Sequence, residues 1–152
     1  MKNLFTGLVL IAFFVPVTSF GKGADGVPNA AVLYTFQRQF KNASNIVWHE
    51  SGEVVTAIFS LNHSRIQAFF KPDGTLLGTE RDIMFTELPL LSMIALTNHY
   101  DNSSFYNLVE YTIDADIYYV LTVETRTRKM EVKVLPSGEL SVRKNKKIGM
   151  GL

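Results

Sequence analysis

The chain of 152 residues carries 15 Lys and Arg against 14 Asp and Glu, and it contains no cysteine. A chain this close to neutrality is a poor candidate for nucleic acid as its main partner, and the lack of cysteine excludes disulfides and a thiol nucleophile. Its stability must come from packing, to which 12% aromatic residues contribute.

The N-terminus has the layout of a secretory signal peptide over residues 1–21. A basic residue is followed by an apolar run of about 14 residues and then by small residues, so cleavage after Ser19 and cleavage after Gly21 both fit. The apolar run is shorter than the roughly 20 residues that a membrane-spanning helix needs. We therefore predict a periplasmic or secreted protein, with no stable membrane insertion after cleavage. Residues 22–152 are its single predicted domain.

The mature chain opens with a predicted amphipathic helix followed by strands. Pro28 and Asn29 are typical of a helix start, and residues 30–41 follow at helical spacing. The apolar side of this helix carries Val32, Leu33, Phe36 and Phe40. Alternating apolar residues then predict strands over residues 46–49, 53–61, 65–71 and 75–83. The inward phase of the middle two strands carries Val55, Ala57, Phe59, Ile66, Ala68 and Phe70.

A second helix and a second set of strands come next. The Thr-Glu-Leu-Pro sequence at 86–89 is typical of a helix start, and residues 89–100 form the predicted helix. One face of it carries Leu90, Leu91 and Ile94. Strands are predicted over residues 105–113, 117–124, 129–135 and 139–142. Their inward phase carries Ile117, Tyr119, Leu121, Val123, Met130, Val132 and Val134. The basic segment 143–152 is predicted to fray.

One hairpin pattern occurs twice. Residues 66–77 and 130–141 each contain an alternating apolar run and a Pro-X-Gly turn, and the two turns lie 64 residues apart. A fixed offset predicts a tandem repeat of a helix plus an antiparallel β-meander, with units of about 28–85 and 86–147. The predicted fold is α+β, with the helices on one face of the sheet. The alternative, a parallel sheet, would need a helix between most successive strands.

Several of these segments also resemble a known family. The stretch Phe40-Lys-Asn-Ala-Ser-Asn-Ile-Val-Trp48, followed by Val55-X-Ala-X-Phe59 and Ala68-Phe-Phe-Lys-Pro-Asp-Gly74, resembles a signature of the PepSY-like, β-lactamase-inhibitor-protein-like family of exported bacterial proteins. The resemblance covers roughly residues 32–90, and the second half matches mainly in pattern. It implies tandem repeats of a helix plus an antiparallel sheet. It also implies an alternative function, as an inhibitor or regulator of a periplasmic hydrolase or peptidase.

No motif indicates catalysis, a metal or a cofactor. The histidines lack metal-ligand spacing to one another, and we predict that they are solvated: His49, His63 and His99. Three acidic residues cluster around one hairpin without the dense oxygen ligands of a calcium loop, so they are predicted to lie in a solvated turn: Glu110, Asp114 and Asp116. The chain is therefore predicted not to be an enzyme.

Apolar residues on the outward strand phase form the candidate binding site. They are Phe69, Tyr106, Tyr118, Ile58 and Val120, joined by the single tryptophan, Trp48. Aromatic residues on an open sheet are enriched at protein interfaces. The alternatives are that the chain's own tail or a homodimer partner covers these residues, and that Trp48 packs where the first helix meets the sheet. We predict a non-enzymatic envelope protein that binds an unidentified protein or peptide.

Basic residues gather around the last predicted hairpin. They are Arg126, Arg128, Lys129, Arg143, Lys144, Lys146 and Lys147. Such a cluster is usually a solvated face, and contact with anionic envelope surfaces is the alternative.

Overall fold

A computed structural model describes residues 26–148, so the predicted signal peptide, residues 1–21, lies outside the described residues. The first half of the chain forms α1 (Ala30–Gln39), β1 (Ser44–Ser51), β2 (Val54–Leu61), β3 (Ser64–Phe70) and β4 (Leu76–Asp82). A short 3-10 helix (Phe85–Glu87) then leads to α2 (Leu90–His99), β5 (Ser104–Ile113), β6 (Asp116–Glu124), β7 (Arg128–Val134) and β8 (Leu140–Lys147).

The eight strands form one antiparallel sheet whose strand order follows the chain from β1 to β8. The α+β prediction is confirmed, and the parallel alternative is wrong because every neighbouring pair of strands is antiparallel. Residues paired across strands share a face of the sheet. One such row crosses the sheet from the residues packed under α1 to those packed under α2: Phe59, Ile66, Arg81, Glu110, Tyr119 and Val134. Both helices therefore cover the same face, called the inner face below, and leave the opposite outer face uncovered.

The first hydrophobic core lies between α1 and the first strands. Its buried members are Val32, Phe36, Val55, Ala57, Phe59, Ile66, Ala68 and Phe70, which confirms the predicted inward phase. The helix begins at Asn29, whose side-chain oxygen accepts hydrogen bonds from the amides of Ala31 and Val32 at 3.0 and 3.1 Å. The Asn29 amide group also donates to the Pro72 carbonyl at 2.6 Å, which ties the start of α1 to the β3–β4 turn.

The second core lies beneath α2. Its buried members are Leu88, Leu96, Tyr100, Leu108, Tyr119, Leu121, Val123, Met130, Val132 and Val134. The strand phase is as predicted, although Ile117, at the hairpin end of β6, stays 43% exposed. The helix phase is different: Leu90, Leu91 and Ile94 do share a face, but that face is exposed. Ser92 takes the buried position instead, because its hydroxyl donates to the Leu135 carbonyl at 2.8 Å.

An ion-pair network lies on the inner face between the two cores. The Arg81 guanidinium donates to both carboxylate oxygens of Glu110, from Nε at 3.0 Å and from Nη2 at 3.3 Å. Glu87 accepts a further bond from Nη1 at 3.3 Å. These bonds raise the pKa of Arg81. The prediction that Glu110 is a solvated turn residue is therefore wrong, because it pairs with an arginine from the neighbouring strand.

The C-terminal segment also differs from expectation. The predicted fraying of residues 143–152 is wrong for residues 143–147, which belong to β8 and pair with β7 along its length. Their side chains are exposed, but two of them reach the largely buried carboxylate of Glu131, Arg143 at 3.7 Å and Lys144 at 3.6 Å. Strand pairing therefore orders a segment whose basic composition alone indicated a loose tail.

Candidate functional site: the outer face of the sheet

A row of paired residues crosses the outer face of the sheet. It contains Val47, Ile58, Gln67, Glu80, Tyr111 and Tyr118. Phe69 lies in the next row, opposite Thr56 and Gly78. The predicted outward positions of Ile58, Phe69 and Tyr118 agree with this register, and no helix within residues 26–148 covers this side. The face is mixed in character, with aromatic, aliphatic and charged side chains side by side.

Tyr111 and Tyr118 form the centre of the outer face. They lie directly opposite each other on β5 and β6, and their rings stack with centroids 5.0 Å apart and planes 9° apart. The Lys133 ammonium lies 4.2 Å from the Tyr118 ring centroid, a close cation–π contact. Burial raises the pKa of both phenols, so both stay neutral hydrogen-bond donors at physiological pH. We call these three residues the aromatic cluster.

Glu80 lies beside the aromatic cluster on the outer face. Its carboxylate accepts a hydrogen bond from the Gln67 amide at 3.3 Å. Burial is the main reason that the pKa of Glu80 is raised above its ordinary value of 4.5, and a hydrogen bond from Tyr111 offsets this in part. The cluster is thus bordered by a carboxylate that the sheet holds in place and partly shields from water.

This shielding has a consequence for stability. A raised pKa in the folded state means that Glu80 binds its proton more tightly there than in the unfolded chain. The contribution of Glu80 to stability is therefore fully present below about pH 4.5 and falls as the pH rises through its folded-state pKa. We expect Glu80→Gln to lose less stability between pH 4.5 and 7 than the parent chain, measured by urea denaturation.

Glu53→Gln, in the exposed turn between β1 and β2, is the matched control for the Glu80 substitution. Parallel stability–pH curves for Glu80→Gln and the parent chain would show that Glu80 is not shielded as the geometry indicates.

Tyr106 lies on the outer face near the start of β5. Its hydroxyl donates a short hydrogen bond to the Glu124 carboxylate, and the Lys129 ammonium lies 5.3 Å from its ring centroid. It therefore has the combination seen at Tyr118, a half-buried tyrosine ring with a lysine over its face. The predicted outward position of Tyr106 agrees with its pairing opposite Thr122.

Two predicted site residues do not belong to an accessible outer face. Val120 has the outward phase but is only 6% exposed, because it lies between Val109 and Lys133 on the neighbouring strands. Trp48 lies on the inner face. Its ring centroid is 5.0 Å from that of Phe36 and 6.3 Å from that of Phe70, so it packs at the edge of the first core.

Tyr111 is the main site residue that the sequence analysis missed. A three-residue turn at 114–116 was predicted, which would put Tyr111 opposite Tyr119. The loop instead has two residues, with Ile113 paired to Asp116 and with Asp114 at φ 53°. The available signal was Asp114, since aspartate tolerates the left-handed conformation that two-residue hairpin loops require.

The described residues contain little that suggests catalysis. Between residues 26 and 148, no three His, Asp or Glu side chains come together as a metal ion would require. The register of β5 with β6 shifts between Tyr106 and Val109. An open depression beside this shift is lined by residues that include Asp82, Phe85 and Tyr106, without a paired nucleophile and base. In the same part of the chain, neither helix is long and apolar enough to cross a membrane.

Solved structures share this fold, although no protein-family model and no curated protein matches the chain. A BLIP-like protein of Bacteroides fragilis is 20% identical with a TM-score of 0.68, and the match covers 83% of this chain and 90% of that one. A DUF2874 family protein of Bacteroides ovatus is 19% identical with a TM-score of 0.69, covering 80% and 89%. A Bacteroides eggerthii protein provisionally assigned to the periplasm is 18% identical with a TM-score of 0.68, covering 81% and 91%.

At these identities the likeness establishes the fold alone. It supports the BLIP-like part of the resemblance found in the sequence and does not bear on the PepSY-like part.

Proposed function

We propose that this chain is an exported, non-enzymatic binding protein of the cell envelope, which recognises a protein or peptide through the outer face of its sheet. The single observation that carries the proposal is the aromatic cluster: two stacked tyrosines with a lysine over one ring, on a face that neither helix covers. The signal-peptide pattern and the fold shared with a protein provisionally assigned to the periplasm support the location.

The cluster has the physical properties of an interface anchor. Tyrosine offers a large apolar area together with a hydroxyl donor, and it is enriched among residues that dominate binding energy. Stacking and the Lys133 contact already restrict the two rings, so binding costs little additional side-chain entropy. Phe69 adds a half-buried ring opposite Gly78, a position without a side chain. Together they make a preorganised patch with both apolar and polar contacts to offer.

We further propose that residues 28–85 and 86–147 are two copies of one ancestral unit, of the PepSY-like type that the sequence motifs resemble. Support comes from the cores: each buried residue of the first has a buried counterpart 64 positions later in the second. The pairs are Val32/Leu96, Phe36/Tyr100, Val55/Tyr119, Ala57/Leu121, Phe59/Val123, Ile66/Met130, Ala68/Val132 and Phe70/Val134. On this proposal, the aromatic cluster belongs to the second unit alone, because the positions 64 residues before Tyr111, Tyr118 and Lys133 hold Val47, Val54 and Phe69.

Inhibition or regulation of a periplasmic hydrolase or peptidase is the second candidate. It is favoured by the fold shared with the BLIP-like protein of Bacteroides fragilis. It uses the same outer face, so the two candidates differ in the partner rather than in the surface.

The test is loss of binding without loss of folding. In Phe69→Ser/Tyr118→Ser, each ring removed is expected to cost about 2 kcal/mol of binding energy, so capture of envelope proteins by the tagged chain should fall sharply. The chain should stay folded with only a modest fall in melting temperature, because both rings are half-buried rather than part of either core. The matched control is Tyr34→Ser/Leu91→Ser, which removes two exposed apolar side chains from the helices. Identical proteins captured by all three chains, or a collapsed melting temperature in the first variant alone, would contradict the proposal.

A further inference from the structure

We propose that β8 binds an extended acidic segment of the partner protein, which pairs with this edge as a ninth strand. The inference rests on the proposed function only in taking the partner to be a protein, and it adds a second contact beside the outer face.

The first step of the argument is the free edge of the sheet. β8 is the last of the eight strands and pairs along its length with β7 alone. Within residues 26–148, no strand pairs with the other side of β8, so its outward backbone donors and acceptors are open to an added strand. An exposed edge of this kind is a template for strand addition.

The second step is charge. β8 contains four cationic residues and no acidic one: Arg143, Lys144, Lys146 and Lys147. The register places Lys144 and Lys146 on the outer face, beside Glu131 and Lys129 of β7, and places Lys147 on the other face beside Arg128. Glu131 is the one carboxylate among these neighbours, and it lies near two cations, Arg143 and Lys144, so positive charge remains in excess. Acidic side chains on either face of an added strand would therefore meet cations.

The presence of cations on both faces of β8 also favours a strand over a membrane as the bound partner. A flat anionic surface can engage the cations of only one face at a time, whereas a paired strand alternates its side chains between both. Lysines on edge strands commonly prevent pairing with other sheets. The same lysines would admit an acidic strand selectively, because they repel basic strands and attract carboxylates.

The opposite edge lacks these properties. β1 carries only His49 and Glu50 as ionisable residues, and its register with β2 shifts between Ser44 and Val47, where Asn45 adopts φ 54°. The register of β8 with β7 also shifts, between Glu131 and Val132, so it is charge rather than a bulge that distinguishes the two edges. Of the two edges, β8 is therefore the one suited to binding an acidic strand.

The experiment uses a synthetic peptide of eight residues, the length of β8, that repeats Glu-Glu-Thr-Thr, so that each face of the added strand carries carboxylates. Two control peptides replace Glu by Lys, or Thr by Pro; the Pro version keeps the charge but loses half of its backbone donors. We expect the Glu–Thr peptide to bind, to slow amide exchange in β8, and to bind far more weakly when Lys144→Glu/Lys146→Glu is introduced, by about tenfold or more. Lys41→Glu/Lys71→Glu, with the same change of net charge outside β7 and β8, should bind like the parent chain.

Each other outcome overturns the inference. Equal binding of the Pro-containing peptide would show attraction by charge without strand pairing. If the Glu–Thr peptide does not bind, or if its binding survives Lys144→Glu/Lys146→Glu, the lysines serve only to prevent pairing with other sheets. Binding to vesicles of phosphatidylglycerol and phosphatidylcholine but not to the peptide would assign the edge to lipid. The variant Phe69→Ser/Tyr118→Ser should keep peptide binding, so failure here and failure of the proposed function can be told apart.

Discussion

Replacing Phe36 with alanine is expected to lower the free energy of unfolding by about 3–5 kcal/mol, the usual cost of deleting a buried phenylalanine ring. Phe36 is 3% exposed and holds α1 against the sheet. Its ring centroid lies 5.0 Å from those of Trp48 and Phe59, 5.4 Å from that of Phe40 and 6.4 Å from that of Phe70. No smaller side chain fills the space between four aromatic rings, so a cavity adds to the lost burial.

His63→Ala is the control for this prediction, read out by urea denaturation of both variants. His63 is exposed in the two-residue turn between β2 and β3, and surface changes of this kind usually stay within about 0.5 kcal/mol. Its φ of 68° adds a small strain cost for any side chain. Similar denaturation midpoints for Phe36→Ala and His63→Ala would mean that α1 does not pack on the inner face.

Gly74→Ala should cost about 2–5 kcal/mol, because two separate penalties act at this turn. Gly74 has φ +87°, a left-handed conformation that costs an L-residue about 1–2 kcal/mol. A Cβ there would also lie 2.6 Å from the carbonyl oxygen of Ala31 in α1, so the helix would have to move, and such overpacking adds about 1–3 kcal/mol. Gly138 has φ +89°, and a Cβ there would lie 2.9 Å from the Leu91 carbonyl oxygen of α2, so Gly138→Ala should respond in the same way.

Gly52→Ala separates the two penalties at these turns. Gly52 has φ +60°, but nothing lies within 4 Å of a Cβ built on it, so only the conformational cost remains. Calorimetry should therefore show a clearly smaller fall in melting temperature for Gly52→Ala than for Gly74→Ala. Equal falls in melting temperature for the two variants would show that the close contact between the β3–β4 turn and α1 adds nothing to the cost of Gly74→Ala.

Short-range patterns carried most of the fold prediction. The Pro-X-Gly turns predicted the hairpins β3–β4 and β7–β8, since glycine is needed at φ +87° and +89°. Strict alternation then predicted which residues of β2, β3, β6 and β7 face the helices. The start of α1 was equally local, because Asn29 caps the helix with its own side chain. These features depend on neighbours within a few residues, which is why the sequence reveals them.

The errors arose where the deciding contact lies far along the chain. α2 is apolar on most sides, so periodicity could not choose its buried face, which a hydrogen bond from Ser92 to Leu135 helps to set. The strand character of residues 143–147 depends on pairing with β7. For the site, Tyr118 was identified and Tyr111 was not, because one residue of turn length decides which tyrosine lies opposite.

Hydroxyl-radical footprinting of the parent chain, alone and with the envelope protein that it captures, tests most directly which face binds. Because oxidation is measured on side chains, it distinguishes the two faces of one sheet. We predict that oxidation of Phe69, Tyr106 and Tyr118 falls on binding, while oxidation of Tyr34 and Leu91, exposed on the helices, stays unchanged. Protection of Tyr34 and Leu91 with no protection of Tyr118 would place the partner on the helical side and contradict the proposal that the outer face is the binding surface.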